Sequence, residues 1–250
     1  MTARVIAIAN QKGGVAKTTT VHALAAGLTE LGHRVLAIDL DPQASLTFAM
    51  GVEGEPEPSM HDVMMGRITI GEILYDSNGI DLAPSSIDLA GSEVHLLTRT
   101  GREFVLQRAL RPHLDDYDLV LLDCPPSLGI LTINALTAAA EVLVPVQAET
   151  LSHRGVGQLL ETVDEVRQFT NPELTVLGVV VTMFDSRTNL GREVLANLAE
   201  NHDLRVIPPP VPKSVKVAEA PGRGLSILDH ASSSKPAAAY REIVKEIDHG

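Results

Sequence analysis

Residues 5–20, VIAIANQKGGVAKTTT, constrain this 250-residue chain more than any other stretch. Val5 to Ala9 are small and apolar, which predicts a buried strand of a parallel sheet. Asn10 to Thr20 follow with two glycines and two lysines, and Val21 to Leu31 has the composition and apolar spacing of a helix. Strand, glycine-rich loop and helix form the context in which a loop cradles phosphate. The helix N-terminus offers unpaired N–H groups and a positive dipole end, and glycines let the preceding loop aim its own N–H groups at the same anion. Lys17 is then placed to reach the β- and γ-phosphates, the Thr18 hydroxyl to ligate Mg²⁺, and Thr19 to sit near the α-phosphate. The G-x-x-x-x-G-K-[ST] pattern is incomplete, because Gln11 stands at the first glycine and Ala16 replaces the glycine before Lys17. If the backbone at Ala16 needs a positive φ, its Cβ costs about 1 kcal/mol.

Further apolar runs predict strands at Arg34–Asp39, Gly79–Ala83, Asp118–Asp123, Glu141–Gln147, Leu174–Met183 and Arg205–Ile207, the last at a sheet edge. Helical spacing falls at about 87–113 with a break near Gly101, at Leu128–Ala140, at 152–168 and at Pro236–Asp248. The fold class is therefore α/β: one P-loop domain over residues 1–250, a mostly parallel twisted sheet with helices on both faces. Asp39 and Asp41 end the second strand and Asp123 ends the strand DLVLLD, at the edge where open α/β sheets bind ligands. Asp41 followed by Pro42 also suits a plain helix cap. An apolar strand ending in Asp is the Walker B pattern, in which the carboxylate meets the magnesium shell.

The single cysteine, Cys124, excludes an intrachain disulfide, and no apolar run is long enough to span a bilayer. A cytoplasmic chain is expected. Net charge of −12 argues against nucleic-acid binding by the whole surface. Charge is uneven, however: residues 51–118 hold 13 acidic and 5 basic side chains, whereas 205–241 hold 6 basic and 2 acidic. A local basic face is thus available.

The motifs K-G-G-V-x-K-T-T, D-L-D-P-Q, L-L-D-x-P-P-S, M-x-D-x-R-T and P-K-x-x-K-x-x-E-A-P stand in this order from residue 12 to 221. Together they resemble the ParA/MinD family with its deviant Walker A motif, and most closely the short ParA/Soj partitioning ATPases. The resemblance implies binding of ATP/ADP with Mg²⁺ through Lys12, Gly13, Gly14, Val15, Ala16, Lys17, Thr18 and Thr19, with Met183 and Pro212 near the adenine. It implies a metal shell of Thr18, Asp39 and Asp123, and catalytic roles for Lys12, Lys17 and Asp41. Lys12 would reach the partner subunit's nucleotide, and Asp41 would lie beside the attacking water. ATP would then join two subunits into a homodimer that binds non-specific DNA on the nucleoid, through Arg187, Arg192, Lys213, Lys216 and Arg223. A ParB-like activator would stimulate hydrolysis. Asn134 is expected to face the dimer side, and Glu149 is open between an interface role and a simple loop charge. No helix-turn-helix domain is expected before the loop. The last helix is acidic and lacks the basic, aromatic face of an interfacial anchor, so no membrane partner is expected. A MinD-like membrane regulator, an amide-forming biosynthetic ATPase and a nucleotide switch with very slow turnover are the alternatives.

Overall fold

The computed structural model describes residues 2–148, 152–185 and 204–249. Its sheet runs β3-β4-β2-β5-β1-β6-β7-β8, with β1 (Arg4–Ile8), β2 (Val35–Asp39), β3 (Tyr75–Ser77), β4 (Ile80–Ala83), β5 (Leu119–Asp123), β6 (Glu141–Gln147), β7 (Thr175–Thr182) and β8 (Val206–Ile207). Every pairing is parallel except the β3–β4 hairpin at one edge. That hairpin strand was not expected. Tyr75 and Asp76 are exposed and carry little apolar signal.

Helices cover both faces, so central strands are apolar on every residue instead of alternating. Val5 and Ala7 of β1 join one core with α3 (Met60–Met65), α4 (Leu89–Leu96), α5 (Val105–Leu110), α6 (Ile130–Ala138) and α7 (Ser152–Phe169). Ile6 and Ile8 join the other with α1 (Lys17–Glu30), α2 (Ser45–Ala49), α9 (Ile227–His230) and α10 (Lys235–Asp248). The short α8 (Val215–Glu219) completes the described helices and has no buried residue. Gly27 lets α10 press onto α1: a Cβ there would meet Val244 Cγ2 at 2.6 Å. The close approach seats Tyr240, whose hydroxyl lies 3.2 Å from Thr20 Oγ1 at the start of α1.

One expectation is overturned. Asn134 faces no surface; it is fully buried, donating to the Arg102 and Ile130 carbonyls and accepting from the Leu106 N–H. Its amide ties α6 to the segment entering α5, a requirement invisible in sequence because the partners lie about 30 residues away. The break near Gly101 is real. Gly101 has φ 64°, and a 3₁₀ turn at Arg102–Phe104 leads into α5.

Candidate functional site

The strand order explains why carboxylates gather. β5 lies between β2 and β1, and the register sets Asp39 and Ile8 on either side of Asp123. The crevice beyond the carboxyl ends of such strands, where connections diverge to opposite sides, is the ligand site of open α/β sheets. The loop from β1 crosses this crevice and enters α1 through Ala16, which takes the left-handed conformation at φ 66° and ψ 35°. The expected strain is therefore present, and no side chain caps α1. Its first N–H groups are left for an anion. A second left-handed alanine, Ala44 at φ 51°, opens α2 beside the same site. Replacing Ala16 by glycine removes the Cβ penalty at one helix-cap position. We expect Ala16→Gly to stabilise the fold by roughly 0.5–1 kcal/mol, read as a rise in Tm of a few degrees; an unchanged or lower Tm would contradict the strain.

Asn10 organises the loop, and sequence reasoning missed it. Its Nδ2 donates to the Pro145 carbonyl, its Oδ1 accepts from the Lys12 N–H, and its carbonyl accepts from Lys17 Nζ at 3.1 Å. Lys17 is buried, and its second contact is the Lys12 carbonyl at 3.3 Å. Burial lowers its pKa, while Asp123 nearby holds it up. Thr182 fastens the loop to β7 by donating to the Val15 carbonyl at 3.0 Å.

Asp123 is wholly buried, and neither carboxylate oxygen has a hydrogen bond of normal geometry. The Thr18 hydroxyl approaches it and favours its charge, but burial and then the Asp39 carboxylate drive its pKa well up. Asp39 is equally buried, yet its oxygens are engaged: Oδ1 accepts from the Asp41 N–H, and Oδ2 from the Thr47 N–H and hydroxyl. Burial still raises it to about 6. Asp39 thus fixes the loop that carries Asp41, and Asp123 is the carboxylate left open. Orphaned carboxylate oxygens beside a threonine hydroxyl suit a hard cation such as Mg²⁺. Asp41 does not cap a helix. Its Oδ1 accepts from the Gln43 N–H in a tight turn, and α2 begins later, at Ser45.

Two adjoining cavities share Gly14, Ala16, Thr19 and Pro221. The first, about 390 Å³, takes Lys17, Thr18 and Asp41 together with Gly13 and Pro126, and has the exposed ring of Phe48 at its wall. The second, about 360 Å³, is lined by Met183, Val211, Pro212, Val217 and Tyr240. Met183 also has a left-handed backbone, φ 51°, where β7 turns to pair Phe184 with Pro212. Lys213, Lys216 and Arg223 are exposed on the segment that walls this apolar end. Arg187, Arg192 and Glu149 lie outside the described residues.

The sequence pattern described as an AAA domain matches residues 3–176. The chain is 46% identical to the chromosome-partitioning ATPase Soj of Thermus thermophilus over 98% of its own length and 95% of that protein. It belongs to the ParA/Soj family of P-loop ATPases. A Mycobacterium smegmatis structure described as cobyrinic acid a,c-diamide synthase with ADP and magnesium superposes with a TM-score of 0.87 at 48% identity, covering 97% of this chain and 93% of that one. An aspartate-to-alanine variant of Cyanothece McdA in complex with ATP gives 0.89 at 25% identity, covering 99% and 96%. Ala16, which departs from the family's motif as well as from the standard one, takes the left-handed turn that enters α1.

Proposed function

We propose that this family member works as an ATP-driven switch: ATP with magnesium joins two copies face to face, the joined form binds DNA without regard to sequence, and a ParB-like activator stimulates hydrolysis and releases it. The reading rests foremost on Asp123. A buried carboxylate without a partner costs several kcal/mol, and a fold that retains one beside Thr18 and Lys17 is arranged for a cation and a phosphate. Asp123 and Thr18 would hold the magnesium, which neutralises charge on the β- and γ-phosphate oxygens when bound. Lys17 exchanges two neutral backbone carbonyls for anionic phosphate oxygens, a gain because ion-pair attraction is added to hydrogen bonds that its own charge already assists. Lys12 would reach the partner's phosphates. Asp41, held by Asp39 and its own turn, orients the water. Met183 and Pro212 would enclose the adenine. Sedimentation with and without ATP tests the switch: wild type should shift to a dimer with ATP, and failure to do so would remove the reading.

DNA would meet Lys213, Lys216 and Arg223, with Arg187 and Arg192, on an acidic protein where only such a local face can serve. Reversing Lys213 and Lys216 to glutamate should weaken DNA binding about tenfold or more at low salt and flatten its salt dependence. ATP-dependent dimerisation should persist; unchanged affinity in a filter-binding titration would exclude these two lysines. No helix among the described residues is long and apolar enough to cross a membrane. Action in the cytoplasm on the nucleoid follows from the proposed DNA partner.

The 48% identity to the Mycobacterium smegmatis structure favours one second reading, ATP-dependent amide formation. Taking nitrogen from glutamine needs a nucleophilic thiolate. Cys124, the one cysteine, is buried, and that burial pushes its thiol far above the usual range. ADP release that required a carboxylic acid and ammonia, and ignored DNA, would favour amide formation over the switch.

A further inference from the structure

α1 opens on Thr18, Thr19 and Thr20, and the third differs from the other two. Thr18 and Thr19 are half-buried and line the phosphate-side cavity, whereas Thr20 is wholly buried. The Thr20 N–H and the Thr20 hydroxyl both donate to one acceptor, the Ala16 carbonyl, at 2.9 and 2.7 Å. A carbonyl oxygen only accepts, so the single hydroxyl proton of Thr20 is committed there. The bond of 3.2 Å between Tyr240 and Thr20 Oγ1 then runs one way, with the Tyr240 hydroxyl as its donor. Tyr240 is buried, and that burial pushes its phenol up to about 12, so the proton it donates stays in place.

This ordered chain of hydroxyls ends on the strained residue. Ala16 holds φ 66° and ψ 35°, a conformation that L side chains rarely adopt. The Ala16–Lys17 peptide is trans and planar, so its C=O and its N–H point in opposite directions. Fixing the Ala16 carbonyl therefore fixes the Lys17 N–H. That N–H is one of those that helix geometry leaves unpaired at the start of α1, where no side chain supplies a cap. The anchor itself comes from outside the nucleotide motifs. Tyr240 lies on α10, which Gly27 admits against α1, and its side chain also lines the apolar cavity with Met183 and Pro212.

We infer that Tyr240 is a positioning residue of the nucleotide site: through Thr20 it holds the Ala16 carbonyl in the left-handed turn, and so aims the Lys17 N–H at the phosphates. The inference rests on nucleotide binding at this loop and not on the DNA-bound dimer.

Tyr240→Phe removes the hydroxyl and keeps the ring. In calorimetry on the full chain with Mg²⁺, its Kd for ATP should rise about fivefold, as for the loss of one neutral hydrogen bond. Tripolyphosphate, which carries no base, should lose the same factor. Thr20→Val breaks the chain one step nearer the loop. It should lose at least as much, and adding Tyr240→Phe to it should cost nothing further. Thr20→Ser keeps the hydroxyl and should bind ATP like wild type. Glycine takes the left-handed turn without a Cβ penalty, so in an Ala16→Gly background Tyr240→Phe should cost less than about twofold. A tyrosine that only anchors α10 would show the same loss in both backgrounds, and that result overturns the assignment. So does an unchanged Kd in Tyr240→Phe, a loss seen with ATP but absent with tripolyphosphate, or losses that add between positions 20 and 240. The expected losses in a chain that stays monomeric with ATP uphold the tyrosine and defeat the switch. A normal ATP-dependent dimer whose Tyr240→Phe variant binds ATP like wild type does the reverse.

Discussion

Lys17→Ala is expected to lower ATP affinity by about 100-fold or more, equivalent to roughly 2.7 kcal/mol, with the fold intact. The ammonium is already desolvated and already aimed: it is buried at the root of the loop, with Nζ on the Asn10 and Lys12 carbonyls and Asp123 close enough to support its charge. Nucleotide therefore meets a preorganised cation and does not bear the cost of ordering a long side chain. Alanine removes that cation. It also leaves Asp123, which has no hydrogen-bonded partner, without the positive charge that favours its ionised form. A triphosphate would then meet no cation at the root of the loop. Circular dichroism should report an unchanged fold, because the lost hydrogen bonds join one loop to itself. Calorimetry with ATP and Mg²⁺ that returned the wild-type Kd would mean that phosphate is not held by this loop.

The chemistry of this site was more legible in the sequence than its scaffolding. Asp39 and Asp123 each end an apolar run, and parallel register alone brings two such ends together. Which of them would be free was not readable. Thr47, eight residues beyond Asp39, occupies its Oδ2, and nothing in a one-dimensional pattern marks that threonine. Tyr240 and Asn10 illustrate the same limit. Tyr240 reaches α1 across 220 residues because Gly27 admits α10, and Asn10 acts through its carbonyl and amide rather than through a catalytic group. Strands buried on both faces were found by their unbroken apolar runs. β3 was not, because an exposed three-residue edge strand has no such run. α4 falls within the segment read as helical, but spacing alone does not say which face of a helix meets solvent.

Asp41→Ala should reduce ATP turnover by about 100-fold or more, or roughly 2.7 kcal/mol of barrier, while ATP binding survives, so that the variant accumulates as an ATP-bound dimer on DNA. Asp41 lines the phosphate-side cavity, while the hydrogen bonds that shape the gripping loop run among Asn10, Lys12 and Lys17. Its removal separates grip from hydrolysis. The structural cost should be small: one turn hydrogen bond from the Gln43 N–H, worth about 1 kcal/mol. Asp41→Asn sharpens the test, since its amide oxygen can still accept that bond while the charge is gone. If orientation of water by a carboxylate is the role, asparagine and alanine should both stop turnover and both sediment with DNA in the presence of ATP. If the turn is what matters, asparagine should hydrolyse ATP like wild type. A variant that binds ATP yet stays monomeric would separate nucleotide binding from assembly and refute the switch.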